Sequence, residues 1–216
     1  MDNWEIIQKT EQFIGAKFRT EGSGHDWFHV DRVRKMSLRL GMQEGSDLFI
    51  TEMAALLHDL DDWKLTDHVS HHLSGTKEWL ATLGVDQEVS DRVLQVIEDV
   101  SFKGAGIETP ARSKEAAVVQ DADRLDAIGA IGIARTFAYG GHKNRLIYDP
   151  EIEPVLHQDF HEYKNSTAPT VNHFYEKLLL LKNRMNTKSA KIIAEERHRF
   201  MEIFLKQFFE EWSAAQ

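Results

Sequence analysis

The residues of this chain best placed to do chemistry lie in three short stretches. "AALLHDLDD", residues 54–62, runs from small and apolar residues straight into His58 and Asp59, with Asp61 and Asp62 just beyond. Groups of this kind resist burial unless they are paired or hold a metal. The knot is therefore either a solvated helix end or the seat of a cation. Upstream, "GHDWFHVDRV" sets His25 and His29 four residues apart on one helix face. That spacing suits a pair of metal ligands, or one buried and one surface histidine. Downstream, "VVQDADRLDAIGA" places Asp121, Asp123 and Asp126 in an otherwise apolar helix. Each stretch alone has a plain structural explanation. A shared cation would explain all three.

The elements that must position these residues read as helices. Residues 2–19 open at Asp2 and carry Ile6, Ile7, Phe13, Ile14 and Phe18 at roughly helical spacing, and "EGSG" at 21–24 interrupts them. "HDWFHVDRVRKMSLRLG" reads as a second helix stopped by Gly41. Ser46 is the expected cap of a third, "DLFITEMAALLHDL". A fourth is expected over about 74–83 and a fifth over about 87–101. "KGAGIETPA" at 103–111 reads as a loop, after which Ser113 caps one long helical segment through Tyr139. From Gly140 to about Pro169 the chain turns polar and holds three of its four prolines, the pattern of a lid or binding loop. Two closing helices are expected over about 171–185 and 188–213, the second capped by Thr187. No stretch alternates like a strand. The expectation is an all-α, single-domain helical bundle over 1–216.

Composition narrows the function. At 216 residues the chain can bury a proper core. It has no cysteine, which rules out disulfides and thiolate zinc sites and suits a reducing cytoplasm. The charged opening "MDNWEIIQKTEQF" does not read as a signal peptide. No apolar run approaches the ~18–20 residues that span a bilayer. The net charge of −9 and the lack of a basic tract argue against a nucleic-acid surface built on phosphate neutralisation. Anionic small molecules stay open, since a bound cation can invert the field of a site. No Gly-rich phosphate loop is present, and Gly129 and Gly132 in "AIGAIGIAR" read as allowing close helix packing.

The words "GHDWFHVDRV", "LLHDLDD", "SFKG" and "VVQDADRLDAIGAIGIARTFAYGG" in an all-helical chain of this size resemble the HD-domain superfamily of metal-dependent phosphohydrolases. Within it they are similar to a subgroup of small, single-domain bacterial members. The likeness covers about residues 20–150 directly, and it implies the HD-type helical bundle. Carried over residue by residue, it implies His29, His58, Asp59 and Asp123 as metal ligands. Asp121 and Asp123 stand about 200° apart on a helix and cannot both serve one ion. The apolar stripe Val118, Ala122, Leu125, Gly129 favours Asp121, while the family's "ADRL"-type word favours Asp123. Asp121 is kept as the fallback or a supporting partner, as is His25.

Two imidazoles and two carboxylates form a borderline-hard donor set for one divalent ion, whether manganese, nickel, cobalt, iron, zinc or magnesium. Many superfamily members read "HDIGK". This chain carries an acid at Asp62 instead, and the resemblance then implies a nucleotide- or pyrophosphate-hydrolysing branch with Asp62 as general base. Two-metal members carry further histidines where this chain has "VIEDVSF", with Glu98, Asp99 and Ser101, so one ion is expected. His68, His71 and His72 read as surface residues. Lys64, Lys103 and Arg135 are candidate phosphate contacts, each also readable as a surface ion-pair partner. Tyr139 and the 140–170 loop are candidates to cover a base or sugar.

The implied activity is phosphohydrolysis of a small phosphorylated metabolite, a nucleotide first, by a triphosphate pyrophosphohydrolase or a nucleotidase. The alternatives are a cyclic-nucleotide phosphodiesterase, an alarmone hydrolase, or a non-catalytic nucleotide-sensing module. The partner expected is a small phosphorylated molecule, with neither nucleic acid nor membrane. The oligomeric state is not readable.

Overall fold

One helix in this chain is apolar on almost every side. In "LFITEMAALL" only Thr51 and Glu52 are polar, and a helix with no polar face is stable only when surrounded. The computed structural model, which describes residues 1–19, 26–61, 73–100, 109–156 and 167–214, surrounds it. The chain forms α1 (Asn3–Lys17), α2 (Trp27–Glu44), α3 (Leu48–Leu57), α4 (Ser74–Thr82), α5 (Gln87–Val100), α6 (Lys114–Asp126), α7 (Gly129–His142), α8 (Asn172–Glu176), a 3-10 helix (Leu178–Arg184) and α9 (Lys188–Trp212). No strand occurs among the described residues. The all-α expectation holds.

Two compact units can be distinguished. Among the described residues, those within Met1–Phe102 and Thr109–Asp123 form the first, and those within Arg124–Gln216 the second. In the first, α3 packs against α1, α2 and α5, and its residues from Met53 to Leu57 are fully buried. Each large apolar side chain removed from water there contributes on the order of 1.5–3 kcal/mol. α4 lies against α5 and is also tied to α1. Trp79 stacks on Phe13 with ring centroids 4.0 Å apart and donates from Nε1 to Thr10 Oγ1 at 3.0 Å. Arg34 joins three helices, bonding Glu52 at 2.7 Å and Glu11 at 3.1 Å.

In the second unit, α9 packs against α7 and the 3-10 helix. Phe137, Phe174 and Phe204 form a triangle of rings with centroids 5.9–6.1 Å apart. Tyr148 meets Phe209 and Trp212 at 5.2 and 5.1 Å. Much of the apolar face of the last helix is thus covered by its own chain, while Phe200 and Ile203 stay exposed. The 140–170 stretch is pinned where it is described. Thr170 N donates to Leu146 O at 2.8 Å, and Asn172 Nδ2 to Ile152 O at 2.8 Å. Residues 157–166 of that stretch lie outside the described residues.

Helix ends follow the sequence in part. Asp2 caps α1 in a capping box with Glu5, and Thr187 caps α9. Gly41 does not stop α2. It is buried inside the helix, where a Cβ would lie 2.7 Å from Ser46 Oγ. The stop is Gly45, in the left-handed region at φ 69°. Nor does Ser46 cap α3. Asp47 does, accepting from Phe49 N and Ile50 N, while Ser46 pairs with Thr51 at 2.9 Å. The segment from Ser113 to Tyr139 is two helices rather than one. Its break lies at Ala127 and Ile128, and Gly129 at φ 75° starts α7, where a Cβ would meet the Arg197 side chain at 3.0 Å. The helix expected over about 171–185 is likewise divided, at Lys177, into α8 and the 3-10 helix.

Candidate metal centre

His29 is the third residue of α2, and its depth is fixed by the helix start. Asp26 caps α2 and accepts from His29 N at 2.8 Å. The His29 side chain is completely buried. His58 and Asp59 follow α3 directly, so the most enclosed helix of the unit delivers them into the interior. A carbonyl oxygen can only accept, so His58 Nδ1 donates to Ala55 O at 2.8 Å, and in the neutral ring Nε2 is then the nitrogen that carries the lone pair. His58 Nε2 is buried and has no hydrogen-bond partner among the described residues.

These groups converge. Among the described residues, His29, His58 and Asp59 form a cluster whose ligand atoms all lie within 4.8 Å of one another. His29 Nε2 stands 3.3 Å from Asp59 Oδ2, and His58 Nε2 stands 3.4 Å from Asp59 Oδ1. Asp123 Oδ1, on α6, comes within 3.6 Å of His29 Nε2. These separations exceed the ~2.7–3.2 Å of an N–H···O bond. They match the spacing of neighbouring donors around one ion, about 2.9–3.6 Å for metal–ligand bonds of about 2.0–2.2 Å. The donor set and the buried imidazole nitrogen fit a divalent cation.

The fourth donor differs from the other three. The side chain of Asp123 is 33% exposed, against 0–7% for His29, His58 and Asp59. The group is therefore open to solvent at Asp123. Asp121 is fully buried on α6 and, two residues earlier, faces about 200° away. Asp123 is thus the aspartate of α6 that reaches His29.

Of the other candidate residues, Arg135 and Tyr139 belong to the second unit. Arg135 holds Asp126 at 2.7 Å, an ion pair within the second unit. Tyr139 is partly exposed, with Lys143 and Arg145 each 5.7 Å from its ring centroid. His25, Asp62, Lys64, His68, His71, His72, Ser101 and Lys103 lie outside the described residues. Asp99 is committed to Arg112, whose backbone N and Nε reach it at 2.9 and 2.7 Å. With Glu98 it raises the Arg112 guanidinium above its ordinary range by hydrogen bonding first and charge second.

One residue of the motif has a role that sequence reasoning missed. Asp61 accepts from Gly75 N, Thr76 N and Thr76 Oγ1 at 2.7–2.9 Å. No periodicity links residue 61 to residues 75 and 76. The nearest clue in the sequence is that α4 begins after a leucine, which cannot cap it.

Known proteins resemble this chain over most of its length. The family model of the HD domain matches residues 27–128. The uncharacterised protein YpgQ of Bacillus subtilis is 44% identical over 208 residues, 96% of this chain and 94% of that protein. An HD-superfamily hydrolase from Bacillus thuringiensis superposes with a TM-score of 0.78 at 47% identity, covering 99% of this chain and 100% of that one. The crystal structure of YpgQ in complex with ADP superposes with a TM-score of 0.76 at 38% identity, covering 95% of this chain and 97% of that one.

Proposed function

Because this chain belongs to the HD-domain family, we propose that it is a metal-dependent phosphohydrolase of nucleotides, cutting a nucleoside triphosphate to the monophosphate and pyrophosphate. The observation that carries this reading is the spacing of 3.3–3.6 Å among the donors of His29, His58, Asp59 and Asp123. When bound, a divalent ion supplies Lewis-acid charge to a phosphoryl oxygen and makes water more acidic. The ADP complex of YpgQ supports a nucleotide as the occupant.

The chain's own residues do the rest. His29 and His58 contribute neutral nitrogens, and Asp59 and Asp123 contribute two negative charges. Together they would balance the charge of a divalent ion. His58 is held in its tautomer by Ala55 O. The exposed edge at Asp123 is where phosphates would enter, and the closed side at His29 would shield the ion from bulk water. In hydrolysis the water oxygen bonds to the α-phosphorus, the bond from that phosphorus to the leaving pyrophosphate breaks, and a carboxylate takes the water's proton. Asp62, three residues beyond Asp59, is the proposed acceptor of that proton. The committed state of Asp99 supports a single ion.

The test is metal content by elemental analysis, together with phosphate and pyrophosphate release from a panel of nucleoside mono-, di- and triphosphates, for wild type and Asp59→Ala. About one ion per chain and pyrophosphate from triphosphates, both lost in the variant, are expected. Orthophosphate from monophosphates would change the bond assigned. No metal under any loading condition would end the reading.

A further inference from the structure

We propose that Asp61 is a positioning residue of the metal centre: its carboxylate clamps the turn carrying His58 and Asp59 to the start of α4, and so sets where Asp59 presents its oxygens. This rests on the metal reading of the His29–His58–Asp59 group.

The turn needs an anchor on its far side. α3 ends at Leu57, and residues 58–61 continue as turn rather than helix. His58 holds the near side through Ala55 O, and Leu60 N reaches back to Leu57 O at 3.0 Å. On the far side, Asp61 Oδ1 accepts from Gly75 N at 2.9 Å, and Oδ2 accepts from Thr76 N at 2.9 Å and Thr76 Oγ1 at 2.7 Å. Leu60, the one residue between Asp59 and Asp61, is 1% exposed. A displacement at Asp61 is therefore passed to Asp59 through a packed link.

α4 is shaped to receive this carboxylate. Its N-cap position is Leu73, at φ 56°, with no side-chain cap bond. The first-turn amides, which a local Ser, Thr, Asp or Asn would ordinarily serve, are bound by an acid from 14 residues earlier. Gly75 permits the approach, because a Cβ there would lie 2.7 Å from Asp61 Oδ1. α4 is itself a fixed post, since Trp79 is stacked on Phe13 and bonded to Thr10. An anchored helix, a glycine that lets the acid in and three bonds to one carboxylate converge two residues from a ligand of the group.

The experiment is calorimetric titration with Mn2+ alone, below the melting temperature of every variant, with melting temperatures recorded in parallel. Asp61→Ala and Gly75→Ala are expected to weaken Mn2+ binding about 10–100-fold, the usual effect of losing a residue that orients a ligand. Asp61→Asn keeps one acceptor oxygen and should lose less. Trp79→Phe loosens α4 without touching the clamp, so it should lower the melting temperature with little change in affinity. If Asp61→Ala is unfolded, Gly75→Ala decides, since it leaves Asp61 in place. Wild-type affinity in the clamp variants would overturn the proposal, as would a loss that merely tracks melting temperature along the line set by Trp79→Phe. Absence of Mn2+ binding in wild type would instead overturn the metal reading beneath it.

Discussion

Two aspartates in the first unit are buried to the same extent and live in opposite ways. Asp59 is 5% exposed and Asp99 is 6% exposed. Asp99 sits at 2.7 and 2.9 Å from Arg112 donors, inside ordinary hydrogen-bond range. Gln120 closes the same corner by donating to the carbonyls of Asp99 and Thr109. Asp59 instead meets two imidazole nitrogens at 3.3 and 3.4 Å, and one of them, His58 Nε2, offers a lone pair rather than a proton. A buried carboxylate must be compensated. At Asp99 it comes from the Arg112 guanidinium and backbone amide, whereas Asp59 lies between the imidazoles of His29 and His58. Burial alone does not distinguish a structural acid from a site acid. The length of the contacts and the direction of the protons do.

The sharpest way to break this comparison is Asp59→Ala. It should abolish stoichiometric Mn2+ binding by calorimetry and reduce turnover by on the order of 10³-fold, because the ion supplies several kcal/mol at about 1.36 kcal/mol per tenfold. If Asp99→Ala did the same, the two acids would not differ in kind. Next in size, Asp123→Ala should weaken Mn2+ binding about 10–100-fold, less than Asp59→Ala, since Asp123 stands at the exposed edge of the group. Asp121→Asn should leave affinity near wild type, because Asp121 faces away from the group. Equal losses at both positions would mean that α6 does not keep its regular turn there.

The smallest effects are thermal. Mn2+ at about a hundredfold excess over its dissociation constant should stabilise wild type by about 2.7 kcal/mol, a rise of about 5–10 °C in melting temperature for a chain of this size. Asp99→Ala should start a few degrees lower in differential scanning calorimetry and still show the full rise. Asp59→Ala should show none.

The sequence made the helices visible because their apolar spacing is regular, and it made His29, His58 and Asp59 conspicuous because such groups are out of place beside a core helix. It misled where a single residue type has two uses. Gly41 looked like a helix stop and is a close-approach glycine in the last turn of α2, with the stop four residues later at Gly45. The run of good helix formers after Ser113 hid a break at Ala127 and Ile128, beside Gly129, which takes the left-handed region at φ 75°. Between Asp121 and Asp123, the periodic pattern pointed to the more buried residue. The structure brings the less buried one to His29, since an apolar stripe reports what packs against the core. The Asp61 clamp was illegible for another reason. Its partners are separated by 14 and 15 residues, and no local rule connects them.

The enclosure of α3 has a consequence for amide exchange. A helix whose last five residues, Met53 to Leu57, are fully buried gives up those amide protons only on large-scale opening, whereas exposed helix ends open far more often. His58 and Asp59 are attached to that slowest-exchanging helix. His29 lies in the first turn of α2, and Asp123 lies one turn from the end of α6. Exchange of the α3 amides is therefore expected to be slower than that of the amides flanking Asp123, a difference that hydrogen-exchange measurements would read out.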